Sequence, residues 1–202
     1  MKDQEIEIKL YLTDLPAFRQ RLEDLGAALI EPRLHEINLR YDTPNGDLTR
    51  TAQVLRLRQD NAAHLTYKGK GEASGGVYVR REIEFTVGDF EAARAFLEAL
   101  GYTVSLMYEK YRTTYDLDGV MVTLDEMPFG NFSELEGPDA ESIHGVANKL
   151  GVNWNARIAE SYTSLFANLK ETKGLSFRDL AFENFKGIAV SHQDLGVQTA
   201  DS

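Results

Sequence analysis

The chain has 202 residues, 43% hydrophobic and 27% charged, with no cysteine and a formal net charge of −10. That length supports a full core without covalent staples, and the absence of thiols excludes a disulfide framework and a thiolate metal site. The acidic balance disfavours nucleic acid, which needs a basic face to neutralise its phosphates, yet leaves room for a local basic pocket. No apolar run approaches bilayer length, and the charged opening residues lack the apolar region of a signal peptide. The expectation is a cytoplasmic protein, monomer or homodimer, with neither a membrane nor a nucleic-acid partner.

Residues 5–10 alternate polar and apolar strictly, which predicts a strand with two unlike faces. Asp14 opens a helical stretch with Pro16 in its first turn; Leu15, Phe18, Leu22 and Leu25 share a face, and Gly26 ends it. Adding 75 to each number finds a related unit: Glu7 maps to Glu82, Asp14 to Asp89, Leu22 to Leu97 and Gly26 to Gly101. A fainter third copy runs from Glu134-Leu135-Glu136 through Asp139 to Leu150-Gly151. Further strands are predicted over 36–42, 53–59, 64–70, 77–87, 108–117, 119–126 and 131–136, with Asp118-Gly119 as a hairpin turn. With the first strand these make eight, a number compatible with a closed barrel. A last amphipathic helix covers roughly 156–170; after Lys173 the pattern weakens, and the end from about Ala189 reads as mobile.

Parity carries the functional reading, because alternate residues of a strand face opposite sides. Glu5, Glu7 and Lys9 share one face; so do Arg56 and Arg58, Thr66 and Lys68, Arg80, Glu82 and Glu84, Lys110 and Arg112, Thr123 and Asp125, and Glu134 and Glu136. An ordinary half-solvated sheet would show the same alternation. Here, however, the charge is sorted by type from strand to strand and comes in doublets such as Arg-x-Arg and Glu-x-Glu. If the sheet closes with helices outside, these faces turn inward. Basic side chains then suit phosphate oxygens, and carboxylate doublets suit hard cations such as Mg²⁺. A polyphosphate with its metal satisfies both. The alternatives are a non-catalytic polyphosphate- or nucleotide-binding module and a structural ion-pair network.

In this company Glu5-Ile6-Glu7-Ile8-Lys9 resembles the ExExK signature of the CYTH superfamily, the triphosphate tunnel metalloenzymes. Tyr41-Asp42-Thr43-Pro44, Leu55-Arg56-Leu57-Arg58, Arg80-x-Glu82-x-Glu84, Lys110-x-Arg112, Leu124-Asp125-Glu126, Glu134-x-Glu136 and Ser161-Tyr162 resemble the family's later motifs, in order, from residue 5 to about 169. The resemblance implies an α+β fold in which a closed eight-stranded antiparallel barrel, a tunnel, carries helices outside. The tunnel domain would span 1–170, with 171–202 as a partly docked extension. It further implies a small-molecule triphosphate as partner and Mg²⁺ or Mn²⁺ as cofactor. Glu5, Glu7, Glu134 and Glu136 would be metal ligands, with Asp125 and Glu82 weaker contenders. Lys9, Arg56, Arg58, Lys68, Arg80, Lys110 and Arg112 would hold phosphates, and Glu84 would orient neighbouring basic groups. Glu5, Glu7 and Lys9 form the catalytic set. The implied reaction is hydrolysis of a linear triphosphate, inorganic tripolyphosphate or an organic one such as thiamine triphosphate; the alternative is a class IV adenylate cyclase making cyclic AMP and pyrophosphate from ATP. The family often has a basic residue before the Ser-Tyr of the last helix. This chain has Glu160, which leaves Arg157, Lys170 and Lys173 as nearby substitutes.

Overall fold

The computed structural model describes residues 4–201; Met1–Asp3 and Ser202, inside the expected domain bounds, lie outside the described residues. Strand β1 (Gln4–Leu12) leads through helix α1 (Leu15–Asp24) to the long strand β2 (Ala28–Asp42). A short helical turn, α2 (Asp47–Arg50), precedes strands β3 (Val54–Gln59), β4 (Ala63–Lys68), β5 (Glu72–Ser74) and β6 (Val77–Val87). Helix α3 (Phe90–Ala99), strands β7 (Thr103–Leu117), β8 (Val120–Met127) and β9 (Gly130–Glu136), then helices α4 (Ala140–Lys149) and α5 (Tyr162–Lys173) complete the order.

The strands are antiparallel in the order β1-β9-β8-β7-β2-β3-β4-β6, and β6 returns to pair with β1, closing a ring of eight; β5 hangs on β6 as a short extra strand. Closure is fixed in register by Glu5 opposite Arg80 and Ile6 opposite Val79. Apolar residues of alternate parity then face outward. Ile8, Leu10 and Leu12 of β1 pack with Phe18 and Leu22 of α1, Val122 and Leu124 of β8, and Ile143 of α4. A second cluster is different: Tyr11 and Phe132, on the same strand face as Lys9 and Glu134, pack against Tyr162, Phe166 and Leu169 of α5. A third, smaller one sets Tyr41 and Leu57 against Leu97 of α3.

The repeat is visible as geometry. Asp14, Asp89 and Asp139 each accept a hydrogen bond from the backbone N–H three residues on, capping α1, α3 and α4. Each helix ends at a leucine followed by a left-handed glycine, Gly26, Gly101 or Gly151. The next residue's N–H returns to the helix five positions back: Ala27 to Leu22, Tyr102 to Leu97, Val152 to Ala147. The faint third copy is therefore as fully capped as the first two. Leu25, read as part of the apolar face, is 40% exposed.

Three strand boundaries differ from the sequence reading. β2 begins at Ala28, eight residues before the expected 36, because Pro32 and two register shifts between Leu29 and Leu34 break the alternation that marks a strand. β7 begins at Thr103 rather than 108, and β4 stops at Lys68 rather than 70. The last helix starts at Tyr162, not 156, because Ser161 caps it by accepting from the Ser164 N–H; Trp154–Ala156 form a separate 3₁₀ turn.

The tail, expected to dock in part and loosen from about Ala189, is held along its length. Leu180 exchanges backbone hydrogen bonds with Met107 and Glu109, Phe185 and Leu195 join the second core cluster, and Ala200 is 1% exposed. The Asp201 carboxylate accepts from the Thr13 and Asp14 amides at 2.8 Å, bracing the turn into α1. Burial alone would raise the Asp201 pKa, but these amides hold it below its ordinary value. Its stabilising contribution is thus full above the unfolded pKa and lost as pH falls through the folded one. We expect Asp201→Ala to cost about 1–2 kcal/mol in urea unfolding at pH 7, a deficit that shrinks as both proteins are taken into acid below the ordinary aspartate range.

Candidate functional site

The ring encloses a cavity of about 440 Å³ lined by eight basic and six acidic side chains. Arg58, Lys68, Arg80, Lys110 and Arg112 face it together with Lys9, Arg56 and Arg40; Glu5, Glu7, Glu82, Glu84, Glu134 and Glu136 face it as well. Every site residue named from the sequence lies on this wall except Asp125. The signs are sorted in space. Strands β6, β1 and β9 are neighbours and carry the six lining carboxylates, with Arg80 and Lys9 among them, whereas β7, β2, β3 and β4 are neighbours and carry only basic charge there: Lys110, Arg112, Arg40, Arg56, Arg58 and Lys68. Charge doublets far apart in sequence become an acidic wall facing a basic one.

Ion pairs run both between the walls and within the acidic one. Lys68 Nζ lies 2.7 Å from Glu5 and 2.9 Å from Glu82. Arg80 Nε donates to Glu5 at 2.5 Å, and Lys9 Nζ is 3.3 Å from Glu134. Glu84 accepts from Thr66 at 2.6 Å, Arg56 at 3.1 Å and Arg58 at 3.2 Å.

Asp125 sits behind the wall, fully buried. It accepts from Lys110 (3.0 Å), from Arg112 Nε (2.6 Å) and Nη2, and from the Tyr162 hydroxyl (2.8 Å). Three of these bonds converge on Oδ2 and one on Oδ1, so Asp125 anchors Lys110, Arg112 and the start of α5. Glu36, not foreseen from sequence, is 3% exposed and does the same from β2, 3.6 Å from both Arg58 and Lys110.

The carboxylates split into two electrostatic groups. Burial would raise Glu5, but Lys68 and Arg80 overcome it and hold its pKa at about 2. Glu36 is likewise held at about 2, by Lys110, Arg112 and Arg58. Glu7 goes the other way. Burial, then repulsion from Glu134 and Glu5, pushes it up to about 7. Glu136, at the open mouth, is also raised to about 7 by burial and by Glu5 and Glu82. Glu7 and Glu136 are directly cross-strand.

Among the described residues no trio of His, Asp and Glu side chains forms a ready-made metal cage. The donor chemistry nevertheless fits a hard divalent cation. The all-oxygen set Glu5, Glu7, Glu134 and Glu136 carries more negative charge than its neighbours neutralise at Glu7 and Glu136, and such cations retain water beside a few carboxylates. The four histidines join no such set: His35 meets Glu109 at 2.7 Å, His64 lies 3.5 Å from Asp60, and His144 packs on Trp154.

Arg40 was missed. It lines the cavity from β2, and its Nη1 donates to Thr163 Oγ1 at 2.6 Å, beside the capped start of α5. Among the described residues it is the one basic lining group with no ion pair. Burial, with Arg80 and Arg56 nearby, lowers its pKa, the signature of a cation without its counter-charge. The signal was available, since Glu36, Asn38 and Arg40 alternate with Ile37, Leu39 and Tyr41. None of the three substitutes suggested by Glu160 reaches the cavity: Arg157 covers Trp154, Lys170 lies over Phe166, and Lys173 pairs with Asp194. The Asn38 amide and Arg56 Nε are buried without partners, spare hydrogen-bonding capacity beside the cavity.

Residues 3–161 match the CYTH domain family. The chain belongs to the CYTH family. A candidate adenylate cyclase from Vibrio parahaemolyticus shares the fold at a TM-score of 0.74 and 23% identity, covering 83% of this chain and 99% of that one. The PH1819 protein of Pyrococcus horikoshii OT3 gives 0.66 and 26%, covering 81% and 98%. HpAC1 of Hippeastrum, a candidate adenylyl cyclase described as having a dominant triphosphatase activity, gives 0.61 and 22%, covering 81% and 95%. No curated protein matches the sequence. No helix of the described residues is long and apolar enough to cross a membrane.

The two electrostatic groups should respond oppositely to substitution. Asp125→Ala leaves Lys110 and Arg112 short of their buried counter-charge, and we expect a loss of about 3–5 kcal/mol in urea unfolding. The raised Glu7 pKa means that its ionised form is penalised in the fold, starting as pH rises above 4.5 and complete above about 7. Glu7→Gln should therefore stabilise the metal-free protein at pH 8, by on the order of 2–3 kcal/mol, and leave it unchanged near pH 4.

Proposed function

We propose that this CYTH protein is a metal-dependent triphosphatase that hydrolyses a linear triphosphate held in the cavity. The observation that carries the reading is the opposition of the two walls: a row of Arg and Lys matched to phosphate oxygens faces a carboxylate-rich wall on which Glu7 and Glu136 remain short of counter-charge. A structural ion-pair network would pair its members, whereas here Arg40 on one wall and Glu136 on the other make no ion pair among the described residues.

Lys9, Arg56, Arg58, Arg80, Lys110 and Arg112 would bind the phosphate oxygens, with the guanidinium groups able to do so bidentately. Arg40 would take the charge at the α5 end, where the family's basic residue is replaced by Glu160. Asp125 and Glu36 hold Lys110 and Arg112 in place, so this charge is preorganised where negative charge develops during phosphoryl transfer. Glu5, Glu7, Glu134 and Glu136 would hold Mg²⁺ or Mn²⁺, which when bound supplies charge neutralisation at the phosphates and lowers the pKa of bound water. In hydrolysis a water oxygen forms a bond to a terminal phosphorus, the bridging P–O bond breaks, and the water's proton passes to a carboxylate of the acidic wall. The dominant triphosphatase activity of the Hippeastrum protein supports hydrolysis over cyclisation.

The test is an endpoint assay with Mg²⁺ or Mn²⁺ and separate tripolyphosphate, thiamine triphosphate and ATP, quantifying phosphate, pyrophosphate and cyclic AMP. We expect phosphate without cyclic AMP; cyclic AMP with matching pyrophosphate would establish the cyclase instead. The Glu5→Gln/Glu7→Gln pair should lose nearly all metal-dependent turnover while circular dichroism stays native, and full activity in that variant would refute the assignment. Arg40→Ala should raise KM about 10–100-fold with the fold intact.

A further inference from the structure

Strand β7 changes partners part-way along. β8 pairs with it only from Tyr111 to Leu117, so the stretch before Tyr111 is bonded to β2 on one edge and has no β8 on the other. The C-terminal tail fills that edge. The Leu180 N–H donates to the Met107 carbonyl at 2.9 Å, and the Leu180 carbonyl accepts from the Glu109 N–H at 3.1 Å. One fully buried tail residue therefore grips the backbone on either side of Tyr108. Its neighbours reinforce the grip: Asp179 accepts from the Met107 N–H at 2.9 Å, and the Glu109 carboxylate accepts from the Phe182 N–H at 2.7 Å. All of these tail residues lie beyond 161, where the family match ends.

The residue so gripped faces the tunnel. Tyr108 has the inward parity of Lys110 and Arg112, lines the cavity and is 7% exposed. Its hydroxyl accepts from Arg56 Nη1 at 3.4 Å and, among the described residues, donates to nothing. A buried phenol ordinarily finds a partner for its proton, and a phenylalanine would fill the same space without that demand. The groups around it are in a similar condition. Asn38, directly cross-strand, is 0% exposed with neither amide atom partnered, and Arg56 Nε has no acceptor. Arg40, the next inward residue along β2, makes no ion pair among the described residues. Burial would raise the Tyr108 pKa, but Arg56 and Lys110 overcome it and hold it below its ordinary value. That makes the phenol a stronger donor while leaving it uncharged.

Unspent donors on three adjacent strands call for an acceptor that the chain does not supply. Behind the wall it does supply one, since Asp125 satisfies Lys110 and Arg112. At Tyr108 the acceptor has to come from a ligand. We propose that Tyr108 is a substrate-contacting residue, whose hydroxyl donates a hydrogen bond to a non-bridging oxygen of the phosphoryl group held by Arg40 and Arg56 at the α5 end of the tunnel. The proton stays on the phenol, so the contact binds and orients without transferring anything. The tail fixes the ring before the ligand arrives, which spares ordering entropy on binding. This rests on the reading of the tunnel as a triphosphate site and adds a neutral donor to its basic wall.

The experiment titrates wild type and Tyr108→Phe calorimetrically with Mg²⁺ and diimidotriphosphate, whose P–N–P bridges resist hydrolysis. Both proteins are also prepared with 3-fluorotyrosine, and the fluorine signal missing from the variant is that of Tyr108. Thermal melts without ligand report the fold. We expect Tyr108→Phe to weaken binding about 10–100-fold, the ligand-free melt to stay unchanged, and the Tyr108 fluorine signal to move when ligand is added to wild type. Equal affinities would overturn the assignment, whatever the melts show. So would weaker binding with an unmoved Tyr108 signal, because the hydroxyl would then act only by holding Arg56. Failure of wild type to bind the triphosphate at all would overturn the tunnel reading and this one together, an outcome read without the variant.

Discussion

The pairing of β1 with β6 is the constraint on which the rest depends. Without it the eight strands are an open sheet, and an open sheet puts its charged faces in water, where Arg and Glu doublets are ordinary surface. With it, each polar face turns inward at once, because parity ties the direction of every side chain to the direction of its neighbours. Ile8, Leu10, Val122 and Leu124 then have α1 and α4 to pack against, and the helices need no other core. Closure and the charged interior are thus two consequences of one hydrogen-bonded seam.

That interior is held at a cost. Desolvation raises Glu7 and Glu136 and lowers Arg40, each being a group that a structure selected for stability alone would neutralise or remove. Asp125 shows the opposite treatment, with Lys110, Arg112 and Tyr162 supplied from within. Glu36 is surrounded by Lys110, Arg112 and Arg58, which lower its pKa, although its Oε2 has no hydrogen-bond partner. Strain of this kind, concentrated at one cavity and absent from the outer packing, is how a binding site differs from a salt-bridged core.

Much of this was legible in the sequence because strands write their faces at period two. Glu5, Glu7, Arg56, Arg58 and Glu134 announced an inward polar face wherever the alternation was clean. It failed where the alternation was broken or mixed. The first half of β2 was hidden by Pro32 and its bulges. Arg40 was passed over because Glu36, Asn38 and Arg40 differ in sign and so form no doublet. Asp125 was named by the resemblance as a weaker contender for metal; parity gives direction but not depth, and only packing shows that Tyr162 and Arg112 donate to it behind the cavity wall. The tail carried no periodic signal, since it docks by single residues such as Leu180, Leu195 and Asp201 at irregular intervals.

The place of β1 in the ring has a consequence for how the protein is made. This first strand sits between β6 and β9, so both its edges wait for partners encoded far downstream, the last of them Glu136. At ordinary synthesis rates the nascent strand spends on the order of ten seconds with no permanent neighbour. Ile6, Ile8, Leu10, Tyr11 and Leu12, if they were uninterrupted, would template aggregation in that situation. The alternating Glu5, Glu7 and Lys9 interrupt them, acting as gatekeepers on the ribosome before they have any role in the cavity.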